Sequence, residues 1–99
     1  MVFKIIVSPR AQAEIENAIA YYALYSIKTP RKFIASLRRS YSILETAPFF
    51  KFRYKNVRSL KIDKFPYSLY FVVSEKQQQV KILSCFHNKR NPESQPSDY

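Results

Sequence analysis

Apolar positions change their spacing along the chain, and each change marks an element. Phe3, Ile5 and Val7 share one face, and Val2 and Ile6 share the other with Lys4, which predicts a short strand. Ser8-Pro9 then opens a helix. Serine is a good N-cap, and proline lacks the N–H that would go unpaired in the first turn. Ala11, Ile15, Ala18, Tyr22 and Tyr25 recur at three and four residues, with Ile19 beside them, as one apolar helix face. Glu14 and Glu16 fall in the early turns, where the helix dipole favours negative charge. After Ser26-Ile27-Lys28, Thr29-Pro30 repeats the cap-then-proline signal, and so short a connection predicts a helical hairpin. The second helix carries Phe33, Leu37, Tyr41 and Leu44 on one stripe, with Ile34 adjoining. Arg31, Lys32, Arg38 and Arg39 lie on the other side, and Pro48 ends the helix.

Beyond Pro48 the period returns to two. In Arg58–Asp63, Leu60 and Ile62 point to one face. Tyr67–Ser74 is almost wholly aromatic and β-branched, as suits a central strand buried on both faces, and Val80–Phe86 has the same character. Phe65-Pro66-Tyr67 joins the first two strands and Glu75–Gln78 the last two. The stretch Phe49–Lys55 alternates aromatic and basic residues and reads as a short strand or an extended arm. The predicted class is α+β: an antiparallel-rich sheet of four to five strands with an N-terminal helical hairpin on one face. The order is β-α-α-β-β-β, with an extra short strand at 51–55 if that arm pairs. Residues 1–92 are read as a single domain and 93–99 as a loose tail.

With 99 residues, the chain has room for one modest core. No apolar run approaches the roughly 20 residues of a membrane span, and the N-terminal run is read as a strand rather than a signal peptide. Cys85 is the single cysteine, so no internal disulfide forms, and a buried inert thiol is expected. These features place the chain in the cytoplasm, away from membranes. There is no glycine. A P-loop, a Rossmann fingerprint and a nucleophile elbow all need glycine, so nucleotide-cofactor enzymes of those kinds are excluded and no cofactor is expected. Turns are expected to use Asn56, Asp63, Asn88 and the prolines. Net charge is +10, from 17 Lys and Arg against 7 Asp and Glu, and the basic residues cluster. That favours a polyanionic partner, either nucleic acid or an acidic protein.

Candidate chemistry concentrates at strand ends. Arg58, Lys61, His87 and Arg90 can supply charge and an acid or base, while Tyr67 and Asn88 join them as partner-binding candidates. Arg58 and Lys61 are three residues apart, on opposite faces of a regular strand, so they cannot both face one phosphate without a bulge. His87, the only histidine, is either a general acid or base or a structural residue that bonds backbone at the strand end; the structural reading is preferred. No spacing suits a metal. Phe49, Phe50, Phe52 and Tyr54, interleaved with Lys51, Arg53 and Lys55, suit base stacking. They suit better a strand with its aromatics in the core and its bases in water.

Together these residues resemble the RelE/ParE superfamily of toxins from bacterial type II toxin–antitoxin modules. The resemblance rests on the opening strand running into SPRAQAEIENAIAYY, LETAP, VRSLKIDKFPYSLYFVV and the strand leading into FHNKRNP. It implies a small sheet carrying a helical hairpin, bound by a cognate antitoxin through a helix and an extended segment. It also implies one of two activities, or an inactive relative that only binds its antitoxin. RelE-like members cut messenger RNA on the ribosome, whereas ParE-like members inhibit DNA gyrase. Metal-free RNA cleavage needs a base, an acid and stabilised phosphate charge. Ser68 stands about where RelE-like nucleases place an arginine, and Tyr99 follows a tail that matches nothing in the pattern. The sequence therefore sits closer to the ParE-like branch. A groove between hairpin and sheet is expected to receive the antitoxin.

Overall fold

The computed structural model describes residues 2–89. Arg90, Asn91, Pro92 and the expected tail at 93–99 lie outside the described residues. The elements run β1 (Lys4–Val7), α1 (Pro9–Tyr25), α2 (Thr29–Thr46), β2 (Phe52–Tyr54), β3 (Val57–Lys61), β4 (Tyr67–Ser74) and β5 (Gln79–His87). They form one five-stranded sheet in the order β1-β5-β4-β3-β2. Strands β2 to β5 form an antiparallel meander, and β1 pairs parallel to β5, from Lys4 opposite Gln79 to Val7 opposite Ile82. The α+β class and the N-terminal hairpin are therefore as the sequence predicts, and the arm at 51–55 does contribute a strand.

The hairpin covers one face of the sheet because both helices bury their apolar stripes there. Ala11, Ile15 and Ala18 of α1 and Phe33, Leu37 and Leu44 of α2 meet Ile62, Leu69, Phe71, Val80, Ile82 and Cys85. At the centre Tyr22, Phe33, Phe65 and Tyr67 pack mostly edge to face, with centroids 5.2 to 6.3 Å apart. Such pairs add roughly 0.5–1.5 kcal/mol each to the burial of their area. Tyr25 departs from the expected stripe: it is 75% exposed. Its ring packs on Tyr21 of the same helix, with centroids 5.3 Å apart, rather than on the sheet.

Helix ends follow the sequence at one site and not at the other. Ser8 caps α1 as expected, its Oγ accepting from the Ala11 N–H at 3.1 Å. Thr29 does not cap α2. Ser26, three residues earlier, accepts from the N–H groups of Lys28 and Thr29, and Lys28 holds the cap position with helical dihedrals.

Turns lack glycine, yet three residues adopt the left-handed region: Lys55 (φ 46°), Lys64 (φ 69°) and Gln78 (φ 53°). The expected turn residues Asn56 and Asp63 sit one position away. Each left-handed non-glycine costs about 1–2 kcal/mol, so these turns are held by the strands they join.

A β-bulge interrupts the β4–β5 ladder. Tyr70 pairs with Ser84 and Phe71 with Ile82, which leaves Leu83 as an extra residue. The bulge shifts β5 in phase, so Ile82 and Cys85 both face the helices although they are three residues apart. Leu83 and Phe86 instead join Val57, Tyr70, Tyr54 and Val72 in a small cluster on the opposite face.

Candidate functional site

The bulge is where α1 is locked to the sheet. The Ser8 hydroxyl donates to the Leu83 carbonyl at 3.0 Å. Glu14 Oε1 accepts from the Ser84 hydroxyl at 2.7 Å and from the Cys85 N–H at 3.1 Å. Glu14 thus does not sit in the first turn to meet the helix dipole, as its position suggested; it satisfies two donors that the bulge leaves unpaired. Arg10 steadies the same carboxylate from one turn away, 3.6 Å from Oε2. Burial, and then the Glu14 charge, push the Cys85 thiol up to about 12. It stays protonated and buried, as expected of a structural cysteine.

A second cluster sits at the β2 edge of the sheet. Arg58 projects from β3 on the helix-facing side, with its guanidinium carbon 3.9 Å from the Phe52 ring centroid and 5.3 Å from that of Phe49. Its Nη1 donates to the Phe50 carbonyl at 2.6 Å. Its Nε is buried and has no hydrogen-bond partner among the described residues. The rings that hold it are 53% and 52% exposed for Phe49 and Phe52. This corrects the expectation that the aromatics of 49–55 lie in the core. Phe50 and Tyr54 pack inward, against the main core and the small cluster respectively, and Phe49 sets one edge against the buried Phe3 ring at 5.7 Å. Phe49 and Phe52 stack on a cation, an arrangement stabilised by roughly 0.5–2 kcal/mol.

A third cluster forms at the far end of β4 and β5. His87 pairs with Tyr67 across the strands, their rings at 5.0 Å and nearly perpendicular. Both line a cleft of 240 Å³ with Asn17, Tyr21 and Lys89. His87 Nδ1 accepts from the Lys89 N–H at 3.1 Å, so a neutral ring in this geometry carries its proton on Nε2. That bond ties the ring to the backbone at the strand end. Ser68 donates to Asn88 Oδ1 at 2.8 Å, and the Asn88 N–H bonds the Pro66 carbonyl at 2.8 Å.

The structure brings some predicted site residues together and separates others. Tyr67 and His87 share the helix-facing cleft, while Lys61 and Ser68 pair opposite each other and, by alternation, point to the other face. The Lys61 ammonium turns back to the Ile62 carbonyl at 3.3 Å. Arg58 lies two strands from His87 and four residues along the register. At strand spacing that is on the order of 16 Å. One phosphate cannot touch both. Arg90 falls outside the described residues. From sequence alone, Phe49 and Phe52 are weighed for base stacking and set aside for core packing, and Glu14, Asn17 and Tyr21 are not read as site residues. The alternation at 49–55 held the signal for the first two, but it fits a buried strand equally well.

Apolar side chains also lie open on the hairpin tip. Tyr21, Leu24, Tyr25 and Ile27 are 55, 77, 75 and 94% exposed. Tyr21 stacks on Tyr25 at 5.3 Å and also lines the His87 cleft, so tip and cleft are continuous. No described helix is long and apolar enough to cross a membrane.

Among solved structures the chain is similar to one from the "Chromosomal ParDE TA system from P. aeruginosa", with a TM-score of 0.72 at 16% identity. The match covers 87% of this chain and 96% of that one. No protein-family model and no curated protein sequence matches the chain. The shared feature is the fold, the helical hairpin laid on the sheet.

Proposed function

We propose that this chain is the toxin of a type II toxin–antitoxin module, that it is ParE-like, and that it acts by binding DNA gyrase. The fold likeness to a ParDE system supports the toxin reading. The observation that favours binding over catalysis is the separation of Arg58 from His87, with His87 Nδ1 occupied by a backbone N–H. Metal-free RNA cleavage needs its acid, base and charge stabiliser around one phosphate. The exposed ridge of Tyr21, Leu24, Tyr25 and Ile27 supports an antitoxin whose apolar helix face covers it. Arg58 and the strand-end residues Lys61, Tyr67, His87, Asn88 and Arg90 are the contacts proposed for antitoxin and target.

The runner-up is a ribosome-dependent endoribonuclease. It rests on the cleft that sets the half-buried His87 beside Lys89, with Nε2 as proton donor. Induced expression of the chain alone separates the two. Growth arrest with intact message and relaxed plasmid supports the gyrase reading. Cleaved message with normal supercoiling replaces it with the nuclease. Healthy growth refutes both and leaves a chain that only binds its antitoxin.

A further inference from the structure

A cleft of 430 Å³ opens between α2 and the β3–β4 turn, lined by Lys32, Ala35, Ser36, Arg39, Lys64 and Phe65. Three cations from two elements converge on it, and no carboxylate lines it. None of the three is paired with a carboxylate among the described residues. Lys32 and Arg39 are seven residues apart on one face of α2, roughly 10 Å along its axis. The small Ala35 and Ser36 between them form the floor, and Lys64 stands on the opposite wall in a left-handed conformation. Arg39 Nη2 donates to the Ser36 hydroxyl at 2.8 Å, which fixes the guanidinium over the cleft.

We propose that this cleft binds the phosphate backbone of a polynucleotide. The inference does not rest on the toxin reading. Three unpaired cations around an open groove suit successive phosphates, and the arginine fork suits phosphate oxygens. An acidic protein is the competing occupant. The aliphatic stems of Lys32, Arg39 and Lys64 join Ala35 and Phe65 as apolar lining, so an acidic protein is an outcome that the test must separate. The three cations and the arginine fork are what favour a row of phosphates, the contacts by which proteins hold nucleic-acid backbone.

The test titrates the purified full chain with a fluorescent single-stranded 12-mer of deoxythymidine at several salt concentrations. Two triple variants are compared: K32Q/R39Q/K64Q at the cleft, and K4Q/K55Q/K76Q at scattered exposed lysines. Both lose the same charge. The cleft variant should bind at least tenfold more weakly, with the slope of log K against log salt shallower by roughly 2, about 0.7 for each lost phosphate contact. The scattered variant should keep most of both. Arg39→Lys keeps the charge but loses the fork, so it should fall between wild type and the cleft variant. Thermal unfolding confirms that each variant is folded. Equal losses in the two triple variants would show that net charge alone carries binding, and would overturn the proposal. So would no oligonucleotide binding, or equal affinity for a polyglutamate peptide of the same charge.

Discussion

Glu14 and Arg58 are both charged side chains drawn in against the sheet, and they are treated in opposite ways. Glu14 reaches a bulge, and its neighbourhood closes on itself: Ser84 and Cys85 donate to it and Arg10 approaches it. Arg58 reaches an edge, and its neighbourhood stays open. One guanidinium nitrogen bonds the Phe50 carbonyl, another has no partner, and the two rings that clamp it are half exposed. A buried polar group whose bonds are complete serves the fold. A half-buried cation with an orphaned donor between exposed aromatics costs stability as it stands. The difference is between a junction whose hydrogen bonds are complete and an edge cluster whose bonds are not.

The contrast can be broken most directly at Glu14. Glu14→Ala leaves two buried donors unsatisfied, and should cost about 3 kcal/mol. That corresponds to a fall in Tm on the order of 10–20 °C for a chain of this size, read by thermal unfolding. Glu14→Gln keeps an acceptor and should lose clearly less. Equal losses would mean that the charge, not the acceptor, locks the bulge.

Arg58→Ala should behave in the reverse manner. Loss of the stack and of one hydrogen bond is partly offset by removal of the orphaned Nε, so stability should fall by only about 1 kcal/mol. Affinity for the antitoxin or target, measured by calorimetric titration, should fall tenfold or more. Unchanged affinity would remove the β2 edge from the interface. On the hairpin tip, Leu24→Asp with Ile27→Asp should leave stability within about 0.5 kcal/mol, since both side chains are exposed. The same pair should weaken antitoxin binding, and a complex that forms as tightly as before would take the tip out of it.

Burial at the junction also has a pH signature. The Cys85 thiol is pushed up to about 12, first by burial and then by Glu14, from an ordinary value of 9.0. A folded-state value above the unfolded one means that the unfolded chain releases its proton first as pH rises. Stability from this group is therefore complete below about pH 9 and is lost as pH climbs toward 12. Burial moves the Tyr41 hydroxyl the same way, to about 12 from 10.0. Stability from urea titration should fall between pH 8.5 and 10.5, by roughly 2–3 kcal/mol in all, and Cys85→Ala should flatten the fall. A midpoint independent of pH over that range would contradict the buried thiol.

The smallest effect is expected at His87. His87→Asn places a side-chain carbonyl near the position of Nδ1 and can still accept from the Lys89 N–H. Stability and growth arrest should both persist. Loss of arrest with retained folding would favour the nuclease.

The elements were legible in the sequence because period is a local property. The change from two to three-and-four spacing marks α1 and α2, and Ser8-Pro9 signals a cap that the structure uses. What stayed hidden depends on register and on ends. The extra residue at Leu83 leaves no local signature, so the role of Glu14, seventy residues away from Ser84, could not be read. Alternation at Phe49–Lys55 specifies two faces but not which of them is covered. At an edge strand Phe52 has Arg58 to cover rather than a helix. Thr29-Pro30 carries the same signal as Ser8-Pro9, yet Ser26 reaches the amides first. The separation of Arg58 from His87 follows from strand order, which pattern alone leaves open.

The most direct test is supercoiling of relaxed plasmid by purified DNA gyrase in the presence of this chain, with ribosome-bound message incubated in parallel. Supercoiling activity should be lost as the chain is added and restored by the cognate antitoxin, with the message intact. Undiminished supercoiling alongside cut message would contradict the gyrase reading.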